Sequence, residues 1–248
     1  MSCGGSEASN SVVVVGASGH GRVVLAALAA AGVEVPVVLD DDPELHGTHL
    51  AGVPVDGPVD EALAGLPRPN GGRRRAVLAV GANRARQRLA ERLEDAVPDL
   101  TWATVVHPSA VIDPDARIGP GAVVMAGAVV QPGAVIGAHA IVNTAASIDH
   151  DCRVGDFAHL APGVHLAGDV TVGEGAFLGI GAVAVPGATV GAWAVVGAGA
   201  AVVRDLPAAV TAVGVPARPL TGDTDAADAA DAEPSPETES NPSETPSR

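Results

Sequence analysis

A six-residue repeat dominates the sequence from Val106 onward and most constrains how the chain folds. Its leading position is Val, Ile or Leu in sixteen of the seventeen hexads that start between Val106 and Val202. The position four residues later is Ala in thirteen of sixteen hexads, the others being Cys152, Val164 and Val170. Short strands that point one aliphatic residue inward at this period are typical of a parallel β-helix with three faces in each coil. Because three hexads complete a coil, residues eighteen apart are expected to stack at about 4.8 Å.

The first hundred residues follow a different pattern, in which strands and helices alternate. The apolar run VVVV at 12–15 leads into the glycine-rich turn GASGHG at 16–21, and a helical stretch then stops at Gly32. Further strand patterns at 35–39 and 76–80 and an amphipathic helix pattern at 82–96 follow. This alternation predicts a small parallel α/β sheet.

These patterns predict four segments: a disordered N-terminus at 1–11, a Rossmann-like domain at 12–100, a β-helix domain at 101–220 and a disordered acidic tail at 221–248. The formal net charge of the chain is −15, which argues against a nucleic-acid or anionic-membrane partner. The chain has two cysteines, no signal-peptide pattern and no uncharged apolar run that would span a membrane without Gly and Pro turns. We therefore expect a cytoplasmic protein.

Three of the eight histidines fall within the stretch SIDHDCRVGDFAHLAPGVHLAGDV at 147–170. No two of His139, His150, His159 and His165 are eighteen residues apart, so they do not stack, and no metal site is expected within one subunit. None of them occupies the leading aliphatic position. We therefore expect all four on the outside of the β-helix or at its corners.

His150 has the most reactive predicted surroundings of these histidines. Gly168 follows eighteen residues later, so a backbone without a side chain is expected directly above the imidazole. A base beside a bare N–H suits acyl transfer, because the base takes a proton from the nucleophile and the N–H stabilises the oxyanion. Asp151 would fix the tautomer of the imidazole or raise its basicity. The alternative is an ordinary exposed histidine beside a turn glycine.

The glycine-rich turn GASGHG places bare N–H groups and a helix N-terminus after a strand, where a phosphate can bind. Asp40 ends the next strand, about where an acidic residue reaches a ribose hydroxyl in such folds. A tight turn that needs glycine only for packing is the alternative. An NAD-dependent oxidoreductase is disfavoured, because only about ninety residues precede the repeat, too few for both mononucleotide-binding halves.

Together these features resemble the NeuD/PglD-type sugar acetyltransferases, which join a small Rossmann-like domain to a left-handed β-helix and use acetyl-CoA. The resemblance covers roughly residues 12–220. It is carried by VVVVGASGHGRVV at 12–24, VLDDD at 38–42, VGAN at 80–83, the stretch SIDHDCRVGDFAHLAPGVHLAGDVTVGEGAFLGIGA at 147–182 and VGVPARPL at 213–220.

The resemblance also implies roles for individual residues. His150 would be the general base and Asp151 would increase its basicity. Ala198 stands where glycine is common in the family, and His165 receives no role. Acetyl-CoA would contact His159, Gly168, Ile180 and Ala198, and the nucleotide sugar would contact Ser18, Gly19, His20, Asp40, Asp41 and Gly81.

The function implied is direct N-acetylation of a nucleotide-linked amino sugar, of the UDP-4-amino-sugar type, by a homotrimer that needs no metal. Because the two domains join near 101–106, the reacting groups are expected to meet close to that junction and His150. Two alternatives stay open. One is O-acetylation of sialic acid or a related sugar, and the other is a non-catalytic β-helix protein that binds nucleotide sugars.

Overall fold

The computed structural model of the chain describes residues 11–67 and 73–220. The predicted disordered tail at 221–248, and residues 1–10 of the predicted disordered N-terminus, lie outside the described residues.

The N-terminal unit is a six-stranded sheet with helices on both faces. The sheet has the order β3-β4-β2-β1-β5-β6 and is parallel except for the β3–β4 pair. Its elements are β1 (Val13–Val15), α1 (Gly19–Ala30), β2 (Val38–Leu39), β3 (His49–Leu50), β4 (Val53–Asp56), α2 (Val59–Gly65), β5 (Arg74–Leu78), α3 (Asn83–Ala96) and β6 (Leu100–Trp102).

Alternation along the first strand separates the two faces of this sheet. Val12 and Val14 pack with α1, whereas Val13 and Val15 pack with α2 and α3. The α1 face continues directly into the second domain, because Val105 and Val123 belong to the same buried cluster as Val14. The α/β sheet predicted from the alternating pattern is confirmed.

The second domain is a parallel β-helix of seventeen two-residue strands with a short closing ribbon. The strands are β7 (Val105–Val106), β8 (Val111–Ile112), β9 (Arg117–Ile118), β10 (Val123–Val124), β11 (Val129–Val130), β12 (Val135–Ile136), β13 (Ile141–Val142), β14 (Ser147–Ile148), β15 (Arg153–Val154), β16 (His159–Leu160), β17 (His165–Leu166), β18 (Thr171–Val172), β19 (Phe177–Leu178), β20 (Val183–Ala184), β21 (Thr189–Val190), β22 (Val195–Val196) and β23 (Ala201–Val202), followed by β24 (Thr211–Val213) and β25 (Arg218–Pro219).

Every third strand pairs, which produces the three faces of a triangular prism. Face 1 contains β7, β10, β13, β16, β19, β22, β24 and β25; face 2 contains β8, β11, β14, β17, β20 and β23; face 3 contains β9, β12, β15, β18 and β21. Partners are eighteen residues apart, as in the register of Val123 with Ile141 and of Ile141 with His159. The predicted coil length is therefore confirmed.

The repeat explains the core of the prism. The leading aliphatic residue of each hexad is the second residue of its strand and points inward, and the small residue four positions later fills the corner. Ile148, Cys152 and Val154 illustrate this arrangement, since all three are buried in the same cluster. The fold is that of the left-handed β-helix proteins implied by the resemblance.

Within the described residues, no helix is both long and apolar enough to cross a membrane.

Candidate functional site

His150 and Asp151 form an exposed pair at the corner between faces 2 and 3. The Nδ1 atom of His150 lies 2.9 Å from Oδ2 of Asp151. Because a carboxylate only accepts, Nδ1 carries the proton and Nε2 keeps its lone pair. Asp151 has a φ of +61° and donates its N–H to the carbonyl of Pro132 at 3.0 Å, so the turn itself fixes the carboxylate beside the ring.

The surroundings of His150 favour the protonated imidazole. The hydrogen bond to Asp151 raises the pKa of His150 above its ordinary value of 6.5, and the nearby charges of Asp149 and Asp169 act in the same direction. The pair therefore has the orientation and basicity of a general base.

Gly168 lies directly above His150, as the period predicts. A Cβ atom built on Gly168 would contact Nε2 of His150 and lie 2.5 Å from Cε1, so no other residue type leaves the imidazole where it is. Pro132 and Pro186 occupy the same corner position one coil below His150 and one coil above Gly168. Proline has no backbone N–H, so the turn does not need a hydrogen bond from the N–H at this position. Within the described part of the chain the N–H of Gly168 has no hydrogen-bond acceptor. A free donor thus lies beside the base.

The glycine-rich turn lies at the carboxyl end of β1 and begins α1 with Gly19. The Asp40 carboxylate accepts the N–H of Ala17 at 2.7 Å and that of Asp42 at 3.0 Å. Each of its oxygens thus accepts one backbone N–H of the surrounding loops and keeps a further lone pair. Asp40 therefore shapes the turn, and its contact with a ribose hydroxyl stays a prediction.

Asp41 has a comparable structural role. Burial opposes ionisation of this carboxyl, but the Val59 N–H at 2.9 Å and the Arg92 guanidinium at 2.6 Å outweigh it and lower its pKa. Asp41 thereby connects the loop after β2 with the start of α2, through Val59, and with α3, through Arg92.

A groove lies at the carboxyl end of the sheet, between β1 and β5. On one side of this point the chain passes from β1 to β2, and on the other side lies β5. This is the switch point at which open α/β sheets bind ligands. Gly19 and Gly81 have open space where a Cβ would stand. The groove is lined by Asp41, Val80, Ala85, Arg88, Leu89 and Arg92.

His159 and His20 lie together beneath this edge. Nδ1 of His159 lies 3.3 Å from the Gly81 carbonyl and Nε2 lies 3.3 Å from Nδ2 of Asn143. The rings of His159 and His20 are 6.3 Å apart, and Nε2 of His20 is buried without a hydrogen-bond partner. Burial first and the nearby Arg86 cation second lower the pKa of His159 to about 3 and of His20 to about 4. Both rings are therefore neutral.

His139 is also buried, which the sequence did not lead us to expect. It does lie outside the prism core, at the corner between faces 3 and 1, but the N-terminal domain covers it and His159. Its ring stacks on Phe157 at 5.1 Å and meets the edge of Trp102 at 4.7 Å. Burial and then Arg86 lower its pKa to about 4. His165 is exposed and hydrogen-bonded to Ser147.

The predicted site residues fall into three groups that one chain does not bring together. His150, Asp151 and Gly168 occupy the corner opposite face 1. Ile180 and Ala198 stack at the corner between faces 1 and 2. The third group lies over face 1 and consists of Ser18, Gly19, His20, Asp40, Asp41, Gly81 and His159. The expectation that the reacting groups meet at the domain junction is therefore wrong for a single chain, because the prism separates them.

Sequence reasoning missed Arg86 and gave Asn83 only as part of the VGAN stretch. Arg86 is buried and donates to five oxygens, and Asn83 donates to the carbonyls of Gly175 and Ala176 at 3.1 and 3.3 Å. The i, i+3 spacing places both on one face of α3, but that spacing is too common in helices to predict a role. Among the described residues, no three His, Cys, Asp or Glu side chains are grouped as metal ligands would be.

Comparison with known proteins identifies relatives of both domains. A family model described as the PglD N-terminal domain matches residues 11–93. A comparison with curated protein sequences finds no match. The perosamine N-acetyltransferase of Caulobacter crescentus, solved with CoA and GDP-perosamine, is 46% identical, with 86% of this chain and 97% of that chain covered and a TM-score of 0.79.

Two further solved structures agree. The acetyltransferase domain of PglB from Neisseria gonorrhoeae is 39% identical, with 85% of this chain and 100% of that chain covered and a TM-score of 0.77. WeeI from Acinetobacter baumannii is 29% identical, with 84% of this chain and 99% of that chain covered and a TM-score of 0.74. This chain belongs to the NeuD/PglD-type family of hexapeptide-repeat sugar acetyltransferases.

Proposed function

We propose that this protein transfers the acetyl group of acetyl-CoA to the amino group of a nucleotide-linked sugar. The observation that carries the proposal is the ordered pair of His150 and Asp151 beneath the free N–H of Gly168. The Caulobacter relative, with CoA and GDP-perosamine bound, supports the same chemistry. The PglB domain was also solved with acetyl-CoA.

The proton transfers of the reaction follow from the tautomer of the His150 ring, in which Nδ1 carries the proton and Nε2 keeps its lone pair. The sugar nitrogen attacks the thioester carbonyl while Nε2 of His150 accepts the proton that the nitrogen loses. The N–H of Gly168 donates to the oxyanion of the tetrahedral intermediate. The C–S bond then breaks, and the imidazolium returns its proton to the leaving thiolate of CoA. Asp151 stabilises the imidazolium in between.

An acyl-enzyme on Cys152 is not part of this mechanism. The thiol lies in the core of the β-helix with no exposed surface, and it faces the carbonyl of Ala167 at 3.1 Å. Burial raises the pKa of the Cys152 thiol, which disfavours the nucleophilic thiolate. The acetyl group therefore passes directly between the substrates.

The acceptor is proposed to bind over face 1, in the groove at the switch point of the sheet. The turn at 16–21 offers backbone N–H groups and the N-terminus of α1 to the diphosphate. Arg88 and Arg92 line the groove. Arg92 is paired with Asp41 and Asp60, so the positive charge that the lining offers a phosphate is that of Arg88, in a chain whose net charge is −15. This arrangement suits a nucleoside diphosphate sugar.

We also propose that the active site forms between subunits of a homotrimer. His150 and the acceptor groove lie on opposite sides of the prism, so His150 of one copy has to approach the N-terminal domain of the next. A single acetyl-CoA that contacts both His159 and Gly168 likewise has to lie between two copies. Exposed apolar side chains around face 2, including Val111, Val183 and Ile180, provide a surface for the contact. His159, Gly168, Ile180 and Ala198 remain the proposed contacts of acetyl-CoA.

The function is tested by thiol release from acetyl-CoA with a panel of acceptors. GDP-perosamine and UDP-linked 4-amino sugars test the amine, and sialic acid tests the hydroxyl. We expect CoA release and an N-acetylated product with an amino sugar only. Release with sialic acid alone would establish the O-acetyltransferase alternative, and binding of nucleotide sugar without any transfer would establish the non-catalytic one.

A further inference from the structure

Arg86 is the most completely hydrogen-bonded side chain of the junction between the two domains. It is only 1% exposed. Its donors contact five oxygens: the carbonyls of His139 at 2.9 Å, Val80 at 2.9 Å, Gly81 at 3.0 Å and Phe157 at 2.7 Å, and Oδ1 of Asn83 at 2.9 Å.

These acceptors belong to both domains. Val80 and Gly81 follow β5 and form the edge of the acceptor groove. His139 and Phe157 are eighteen residues apart and occupy the same corner in successive coils of the β-helix. Asn83 continues the contact to Gly175, eighteen residues beyond Phe157. One guanidinium and one amide thus fix the first turn of α3 to three successive coils.

The same guanidinium also connects to the proposed acceptor site, through the carbonyl of Gly81. The Gly81 carbonyl accepts from Arg86 and also faces Nδ1 of His159. A proton on Nδ1 leaves Nε2 of His159 to accept from the amide of Asn143, whose oxygen in turn accepts the N–H of Thr144 at 2.8 Å. Every donor in this chain of hydrogen bonds faces an acceptor, so the orientation of the His159 ring is determined.

Aromatic packing surrounds the network. The chain contains only two Trp and two Phe, and all four lie at this junction. Trp102 and Phe157 contact the ring of His139, and Phe177 contacts that of His159 at 5.2 Å. Trp193 lies under the guanidinium of Arg84 at 4.4 Å. The junction is therefore a packed interior rather than a loose contact between domains.

We propose that Arg86 is a positioning residue, which sets where the N-terminal domain and its bound acceptor lie relative to the β-helix. The consequence for catalysis rests on the proposed function. A change of about 1 Å in the position of a reacting group can lower a rate about 100-fold. Arg86 does not touch the base, and it contacts the edge of the groove only through the backbone carbonyls of Val80 and Gly81. Lysine cannot replace it, because an ammonium has three donors and no planar fork.

The test compares Arg86→Met and Arg86→Lys with Arg117→Met, an exposed arginine on the first coil. We expect kcat to fall at least tenfold in both Arg86 variants and KM for acceptor and for acetyl-CoA to change less than kcat, because Arg86 reaches Gly81 and His159 only through one backbone carbonyl. Arg117→Met should match wild type. A folded Arg86 variant with wild-type kcat, or a loss confined to KM, would overturn the proposal.

Tryptophan fluorescence gives a second readout that needs no substrate. Since both Trp residues lie at the junction, we expect greater acrylamide quenching in Arg86→Lys at unchanged far-ultraviolet circular dichroism. Unchanged quenching would contradict the proposal even if the acetyl-transfer function proved wrong. If Arg86→Met does not fold, Asn83→Ala, which removes one acceptor and two donors, provides the same two readouts.

Discussion

Replacing Gly168 with alanine tests the contact between base and oxyanion donor. The new Cβ would lie 2.5 Å from Cε1 of His150, whereas carbon atoms pack at about 3.5 Å or more. The imidazole therefore has to move by about 1 Å. A displacement of that size costs about 100-fold in rate, or about 2.7 kcal/mol in the activation barrier.

The same substitution should leave the fold almost unaffected. The side chain of His150 is 60% exposed, so it can rotate into solvent rather than strain the coil. The assay is single-turnover CoA release together with thermal unfolding, and Gly65→Ala is the control, because Gly65 has open space where its Cβ would stand. If Gly168→Ala keeps its kcat within twofold of wild type at unchanged melting temperature, the proposed placement of the reacting groups is wrong.

Three further predictions concern the pH dependence of the activity, the pH dependence of the stability and the acceptor site. Because a base acts only when deprotonated and Asp151 raises the pKa of His150, the acidic limb of kcat/KM should be centred above pH 6.5, and Asp151→Asn should move it to lower pH; a pH profile unchanged by that variant would remove Asp151 from the mechanism. The free energy of unfolding should fall as pH drops from about 6.5 towards 4, because the unfolded chain takes up protons that the buried His20, His139 and His159 do not; urea titrations should show a shallower dependence for His139→Phe, by up to about 1.4 kcal/mol per pH unit. Gly19→Trp should raise KM for the acceptor at least tenfold and spare acetyl-CoA, since the position of its Cβ is open and the indole would fill space beside the turn where the acceptor is proposed to bind; a selective rise in KM for acetyl-CoA would reverse the assignment of the two substrate sites.

The sequence predicts the β-helix well because the information is local and repeated. Each hexad supplies its own inward residue and corner residue, so the pairing of Val123 with Ile141 follows from counting. The contact of His150 with Gly168 follows in the same way. No long-range information is needed for either.

The junction between the domains could not be predicted in this way. The burial of His139 and His159 depends on where α3 docks on the prism, and no local pattern encodes that. Asp40 illustrates the same limit. An acidic residue after the second strand predicts a ligand contact, but the sequence does not show that its carboxylate also accepts the N–H of Ala17 across the turn.

Subunit complementation tests the central claim most directly, namely that acetyl transfer occurs between His150 of one copy and the N-terminal domain of another. His150→Ala, which lacks the base, and Gly19→Trp, which is weakly active when the acceptor is kept far below KM, are co-expressed with different tags. The doubly tagged oligomers are assayed under that condition with amino-sugar acceptor and acetyl-CoA. Each doubly tagged trimer has one of its three shared sites with both halves intact, so we predict recovery to about a third of wild-type activity. Mixed oligomers that remain as inactive as the two parents would contradict the shared site and place the whole reaction within one chain.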